Sequence, residues 1–317
     1  MSPRDRAQRA GRGPGVRRLE SLQKVHKQST IGRDRTRQGY REGAMTSIAD
    51  AVTWLDERFP PHLAEDWDTP GLAVGDPSRP LAHVMFAVDP TLDVAREAVA
   101  AGAQLLVTHH PLMLRGVTSV AATTAAGAVV HTLIEGGCAL LAAHTNADAA
   151  LTGTNDALAA ALGMTIDGPL VPHAANPSVG SGRIGTVPSQ TLAEFAALVA
   201  RVLPPTAGGV VYAGEPDGAV ERVAIVGGSG GSYIDDAVAA GVDVFVTADM
   251  RHHPASDARE AARQRGGKPY LINVSHAASE SLWLAATAAD LAADLGVTAT
   301  VSTLNTDPWT GHVPSAH

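Results

Sequence analysis

Apolar residues recur at helical spacing at Ile48, Val52, Leu55 and Phe59, with Ser47 placed to cap the turn and Pro60-Pro61 to stop it. A buried strand is predicted over 82–88 (AHVMFAV), then a helix over 91–101 closed by Gly102. A short apolar strand at 105–107 follows, and His109-His110-Pro111 stands at its carboxyl end. The same order returns later: a strand at 223–226, a Gly-rich turn, a helix through Ala240 closed by Gly241, and a strand at 244–246. Residues 98–110 (AVAAGAQLLVTHH) and 237–249 (AVAAGVDVFVTAD) match at an offset of 139, seven of thirteen being identical. Chance identity between Ala-rich helices is the competing explanation. The helix stop (Gly102/Gly241) and the strand end (Val107-Thr108/Val246-Thr247) coincide, which favours a duplicated β-α-β unit.

Between the repeats, 183–187, 192–203 and 209–212 read as a strand-helix-strand insert. The expected architecture is α/β: two pseudo-symmetric β-α-β halves, about 45–175 and 176–310, around mixed, largely parallel sheets. Functional groups in such sheets gather beyond the carboxyl ends of strands.

Composition narrows the class. With 317 residues, 45% hydrophobic and 18% charged, the chain can bury a sizeable core. It has no apolar run near the roughly 18 residues of a membrane span. A single cysteine, Cys138, suits a reducing cytoplasm. Residues 1–44 hold 12 Lys/Arg against 4 Asp/Glu; from whole-chain totals of 24 and 32, the remainder holds 12 against 28. So acidic a body argues against a nucleic-acid surface and suits the concentration of metal cations. Residues 1–44, rich in Arg, Gly and Gln, are expected to be disordered. They read as a basic arm or as a gene start placed upstream of Met45, and the abrupt change in composition favours the latter.

The chemistry-bearing residues lie at the strand ends. In a continuing strand His109 and His110 would face opposite ways. Ahead of Pro111 the chain leaves strand geometry, so both rings can enter one crevice and serve two ions roughly 3.5–4 Å apart. Taken alone, the doublet is equally a packed histidine beside an exposed one. His144-Thr145-Asn146-Ala147-Asp148 follows the apolar run 138–143. Asp148, with two oxygens, is the candidate bridge between cations, and His144 either ligates or orients a ligand. Thr154 or Asn155 reads as the cap of a helix over 156–162. A strand at 270–272 leads into His276 and Glu280, four apart on one face of a helix running to about 291, although a Glu at a helix start also suits the macrodipole. Three histidines, an Asp and a Glu, without thiolate, favour Zn, Fe, Mn or Co. Five ligands for two divalent ions leave the open positions of a catalytic site. In the second half, 247–253 (TADMRHH) takes the doublet's place and reads as a polar wall, with Asp249 or His253 as catalytic proton-transfer candidates. The loop 227–232 could cradle a phosphate, although it fits no phosphate-loop fingerprint.

Six ordered segments, WDTPGLAVGDP (67–77), VTHHPLM (107–113), AHTNADAA (143–150), GGSGGSYIDDA (227–237), TADMRHH (247–253) and NVSHAASE (273–280), resemble the Nif-three-like dinuclear metal centre family, whose members are also called GTP cyclohydrolase 1 type 2 homologues. The resemblance spans about residues 46–305. It implies a two-metal centre between pseudo-twofold halves, a toroidal homohexamer, and His109, His110, Asp148, His276 and Glu280 as metal ligands. Where the family commonly has Asp-x-Gly-His, this chain has Asn273 and Ser275 ahead of His276. The implied activity is metal-dependent hydrolysis of a small molecule, a purine nucleotide by the family name, with a metal-bound hydroxide as nucleophile. The alternative is a non-catalytic metal-binding ring that serves as scaffold or in metal delivery and regulation.

Overall fold

The computed structural model describes residues 45–314. The expected disordered arm over 1–44 lies outside the described residues.

Helix α1 (Ile48–Arg58) starts at a capping box, in which Ser47 accepts from Asp50 N–H and Asp50 accepts from Ser47 N–H at 2.8 Å. Ile48, Ala51 and Leu55 form its buried face. A first sheet then assembles from β1 (Gly71–Val74), β2 (His83–Ala87), β3 (Leu105–Thr108) and β4 (Ala139–Ala142), with α2 (Leu92–Ala100) and α3 (Ala125–Glu135) as crossovers. Its order is β1-β4-β3-β2 and then β13 (Thr298–Val301); all neighbours are parallel except β1 against β4. After α4 (Thr145–Ala149) and α5 (Thr154–Ala161), a second sheet combines β5 (Thr165–Gly168), β8 (Arg183–Thr191), β9 (Val211–Ala213), β10 (Ala219–Ser229), β11 (Val244–Ala248) and β12 (Tyr270–Val274). Strands β10, β11 and β12 are parallel, and the antiparallel strands lie outside them. A hairpin of β6 (Val171–His173) and β7 (Asn176–Ser181) stands apart. The remaining helices are α6 (Leu192–Val202), α7 (Ile234–Ala239), α8 (His252–Arg263), α9 (His276–Glu280) and α10 (Leu284–Leu295).

The duplication extends beyond sequence identity. Gly102 and Gly241 both take positive φ, +70° and +65°, and their N–H groups close the helix ends on Val99 and Val238, again 139 apart. The side chain of Gln104 accepts from Ala82 and His83 N–H at 2.9 Å each. Its counterpart Asp243 accepts from Glu221 and Arg222 N–H, also at 2.9 Å. A neutral amide and a carboxylate thus tie the crossover to the preceding strand in the same way, a likeness that residue identity conceals.

The chain does not divide cleanly into the expected halves 45–175 and 176–310. Strand β5 joins the second sheet, while β13 returns to pair with β2 in the first. The helix expected from 279 to 291 is two helices, α9 and α10, interrupted at Ser281–Trp283. Helix α5 begins at Thr154 behind Gly153 and has no side-chain cap, so neither Thr154 nor Asn155 plays that part. Asn155 instead donates to Asp148 O and accepts from Gly227 N–H, which ties α5 to the last residues of β10.

Candidate metal centre

The two sheets present the carboxyl ends of β3, β4, β11 and β12 to one another, and the titratable cluster forms there. Beyond Thr108 the backbone stays anchored: His109 N–H donates to Ala87 O and His110 N–H to Val88 O. Both rings nevertheless reach the same place. His109 is fully buried, its Nδ1 3.0 Å from Ala143 O and its ring edge-on to Trp283 at 5.9 Å. A carbonyl only accepts, so Nδ1 carries a proton and Nε2 is the nitrogen that faces the cluster. His110 Nδ1 lies 2.6 Å from Asp89, and His276 Nδ1 lies 2.7 Å from Asp249. In each case a partner behind the ring turns Nε2 inward, the arrangement expected of metal-ligating imidazoles.

Glu280, 3% exposed, stands among the three inward nitrogens. Its Oε2 is 2.9 Å from His110 Nε2 and 3.1 Å from His276 Nε2, and its Oε1 is 3.4 Å from His109 Nε2. Asp148 Oδ1 comes 3.6 Å from His109 Nε2. Yet His109 Nε2, Asp148 Oδ1 and Glu280 Oε2 are buried without a single aligned hydrogen bond. Buried polar atoms are rarely left in that condition. Converging lone pairs, close in distance but misaligned for hydrogen bonding, fit a shared cation. The groups that could hold one are His110/His276/Glu280, His109/Asp148/Glu280 and His109/His110/His144. Glu280, not Asp148, is therefore the carboxylate common to two groups.

Burial would depress the His110 imidazolium, but the Asp89 and Glu280 carboxylates override it and raise its pKa to about 10. His276, between Glu280 and Asp249, is raised likewise to about 9. Burial pushes Glu280 upward, and the surrounding imidazoles reverse this and hold it well below its ordinary value. Asp148 moves the other way, because burial dominates. Without metal, protonated histidines neutralise Glu280. A divalent ion would displace those protons.

All five expected ligands converge. Asp249 sits behind His276 as an orienting carboxylate, and it does so with a left-handed φ of +54°, a conformation costly for a side-chain-bearing residue. Asp249→Asn is expected to weaken the ion held by His276 by about 10–100-fold with little effect on folding, measurable by competition against a chelator. An unchanged affinity would remove Asp249 from this role. His253, in contrast, is exposed at the start of α8 against the ring of His252 and lines neither cavity beside the cluster. The expected phosphate cradle is partly occupied from within, since Gly227 and Gly228 donate their N–H groups to Asn155 and Ser279. Gly228 is required here: a Cβ on it would come within 1.9 Å of Glu280 Oε1.

Three positioning residues were not singled out in the sequence. Asp89 stands two residues past the end of β2, and a carboxylate just past a strand end is a usable signal. Asp68 lies 3.0 Å from His144 Nδ1 and accepts from Thr145 N–H and Oγ1. Trp283, 1% exposed, packs edge-on against Phe59 at 5.2 Å and braces His109; its place in the α9–α10 break was hidden by the continuous helical pattern.

Two cavities, of about 740 Å³ and about 470 Å³, share His110 and His276 as common wall. The larger also reaches Asp148, His144 and Glu280.

A family model described as Duf34/NIF3 (NGG1p interacting factor 3) matches residues 46–308. A Streptomyces coelicolor protein named GTP cyclohydrolase 1 type 2 homolog is 47% identical over 283 residues, 86% of this chain and 96% of its own. The Mycobacterium tuberculosis protein of the same name is 33% identical, over 83% of this chain and 96% of its own. Among solved structures, a Staphylococcus aureus hypothetical protein matches with a TM-score of 0.75 at 30% identity, over 84% of this chain and 99% of that one. A Bacillus cereus protein related to NIF3 shares the fold, with a TM-score of 0.76 at 24% identity over 84% and 99%. Sequence, fold and cluster agree, and the chain belongs to the Duf34/NIF3 family.

Proposed function

We propose that the cluster is a dinuclear centre of a metal-dependent hydrolase acting on a small molecule. His110, His276 and Glu280 hold one divalent ion, and His109, Asp148 and Glu280 hold the other. The observation that carries this reading is the set of buried ligand atoms left without aligned hydrogen bonds around Glu280. Two such ions supply Lewis acidity and lower the pKa of water, the chemistry by which hydrolases act at neutral pH. The protein's own residues hold the geometry: Asp89 and Asp249 orient the rings, and Trp283 keeps water from the back of His109. Proton transfer falls to His144. It lines the larger cavity, with the Asp68 carboxylate 3.0 Å from its Nδ1. Asp249 is engaged behind His276, and His253 is placed away from both cavities. The same reading carries a homohexamer and a cytoplasmic setting. Among the described residues no helix is long and apolar enough to cross a membrane.

Metal analysis paired with a substrate screen tests the proposal. Wild type is expected to retain two equivalents of Zn, Fe, Mn or Co and to hydrolyse a member of a panel of nucleotides and phosphoesters; Asp148→Ala is expected to lose one equivalent and the activity. Metal-loaded protein that turns over nothing, with chelation only lowering the melting temperature, would assign the site to a scaffold instead.

A further inference from the structure

The larger cavity has the volume of a nucleoside-sized pocket, and its wall is chemically uneven. Trp67 stands in that wall 57% exposed, its ring edge-on to His144 at 5.8 Å. The segment is anchored immediately afterwards, where Asp68 accepts from Thr145. A large indole held in place beside the cluster and open to solvent offers a ready stacking face. Leu63 and Leu114 extend the apolar wall, while Glu65, Ser229 and Ser232 line it with side chains that make no hydrogen bond among the described residues. The Glu65 carboxylate can accept from ring N–H groups.

The charge lining is equally one-sided. None of the described residues lining either cavity is Lys or Arg. Glu65, Asp148 and Glu280 line the larger, and Asp89, Asp249 and Asp307 the smaller. Polyphosphate sites rely on Arg, Lys, metal ions and free backbone N–H groups acting together. Here three carboxylates line the larger cavity and three more stand beyond the His110–His276 wall, no Lys or Arg among the described residues is there to receive a phosphate chain, and the Gly227 and Gly228 N–H groups are already taken.

We infer that the larger cavity takes an uncharged, planar heteroaromatic ring of nucleoside size, stacked on Trp67 with its N–H edge toward Glu65, and discriminates against nucleoside polyphosphates. This rests on the larger cavity being the substrate side of the proposed metal centre. Trp67 is a specificity determinant in the wall and takes no part in metal binding.

Calorimetric titration of the metal-loaded full chain, at about 0.15 M salt, tests it with guanosine and with GTP supplied as its magnesium complex. Guanosine is expected to bind, and GTP to bind no more tightly. Trp67→Ala is expected to weaken guanosine by at least about tenfold, and Trp67→Phe, which keeps a stacking face, by less than about threefold. Absence of guanosine binding, indifference to Trp67→Ala, or GTP binding more than about tenfold tighter would overturn the inference. Sedimentation of Trp67→Ala is expected to match wild type; altered assembly would assign Trp67 to a subunit contact and overturn it as well. Because the readout is binding, a protein that hydrolyses nothing would sink the hydrolase reading while leaving this test decisive.

Discussion

Glu280→Gln is expected to strip both ions, whereas Asp148→Asn strips one. Glu280 is the carboxylate shared by two ligand groups, and it is buried among three imidazole nitrogens at 2.9–3.4 Å. The amide keeps the shape and removes the charge. Two dications would then face three neutral imidazoles, with Asp148 as the remaining carboxylate in those groups. Breaking a buried charge pairing on one side costs about 3–5 kcal/mol, or roughly two to four decades of affinity. Dialysed Glu280→Gln should therefore hold less than about half an equivalent of metal by elemental analysis. Asp148→Asn should keep the ion on His110 and His276. Should Glu280→Gln retain both ions, the shared role of Glu280 fails, and with it the paired arrangement.

A second large effect is expected in the pH dependence of the metal-free protein. His110 is raised from 6.5 to about 10 and His276 to about 9 in the folded state. A raised basic group contributes stability that is whole below its unfolded value and is lost as pH climbs through the folded one. Glu280 behaves oppositely: its contribution is present above 4.5 and is lost as pH falls through its depressed folded value. On the contributions of His110, His276 and Glu280, the metal-free protein should be most stable between 4.5 and 6.5 and lose stability as pH climbs from 6.5 to 10. Loaded protein should lack this alkaline decline, because coordination has already displaced the protons. Thermal melts with and without chelator across this range decide the matter; a metal-free melting temperature flat from pH 6.5 to 10 would contradict the charge arrangement.

The parts legible in the sequence were those with a periodic or punctuated signature. Helix stops at Gly102 and Gly241, short apolar strands, and ligands just past the ends of β3, β4 and β12 all follow from local rules. Long-range pairing left no such trace. Nothing in 298–301 distinguishes a strand that returns to β2 from one that extends the second sheet. The break at Ser281–Trp283 hides because Leu284, Leu291 and Leu295 continue a helical stripe through it. The role of Glu280 was obscured for a different reason. Either oxygen-rich residue can bridge in principle, and only the distances among Glu280, Asp148 and the three rings choose between them. Asp249 reads from the sequence as a proton-transfer candidate, but its engagement behind His276 depends on a backbone conformation that sequence does not specify.

The return of β13 to β2 has a bearing on how the protein is made. The first strand of that pair lies more than 200 residues ahead of the last, so β2 waits as an edge strand until residues 298–301 have been made. Three candidate ligands, His109, His110 and Asp148, emerge early, while His276 and Glu280 emerge only shortly before β13. A nascent chain that has not reached residue 280 thus carries part of the cluster without its shared carboxylate. Metal held by the whole cluster would therefore add its stability only once residue 280 has been made, ahead of the pairing of β13 with β2.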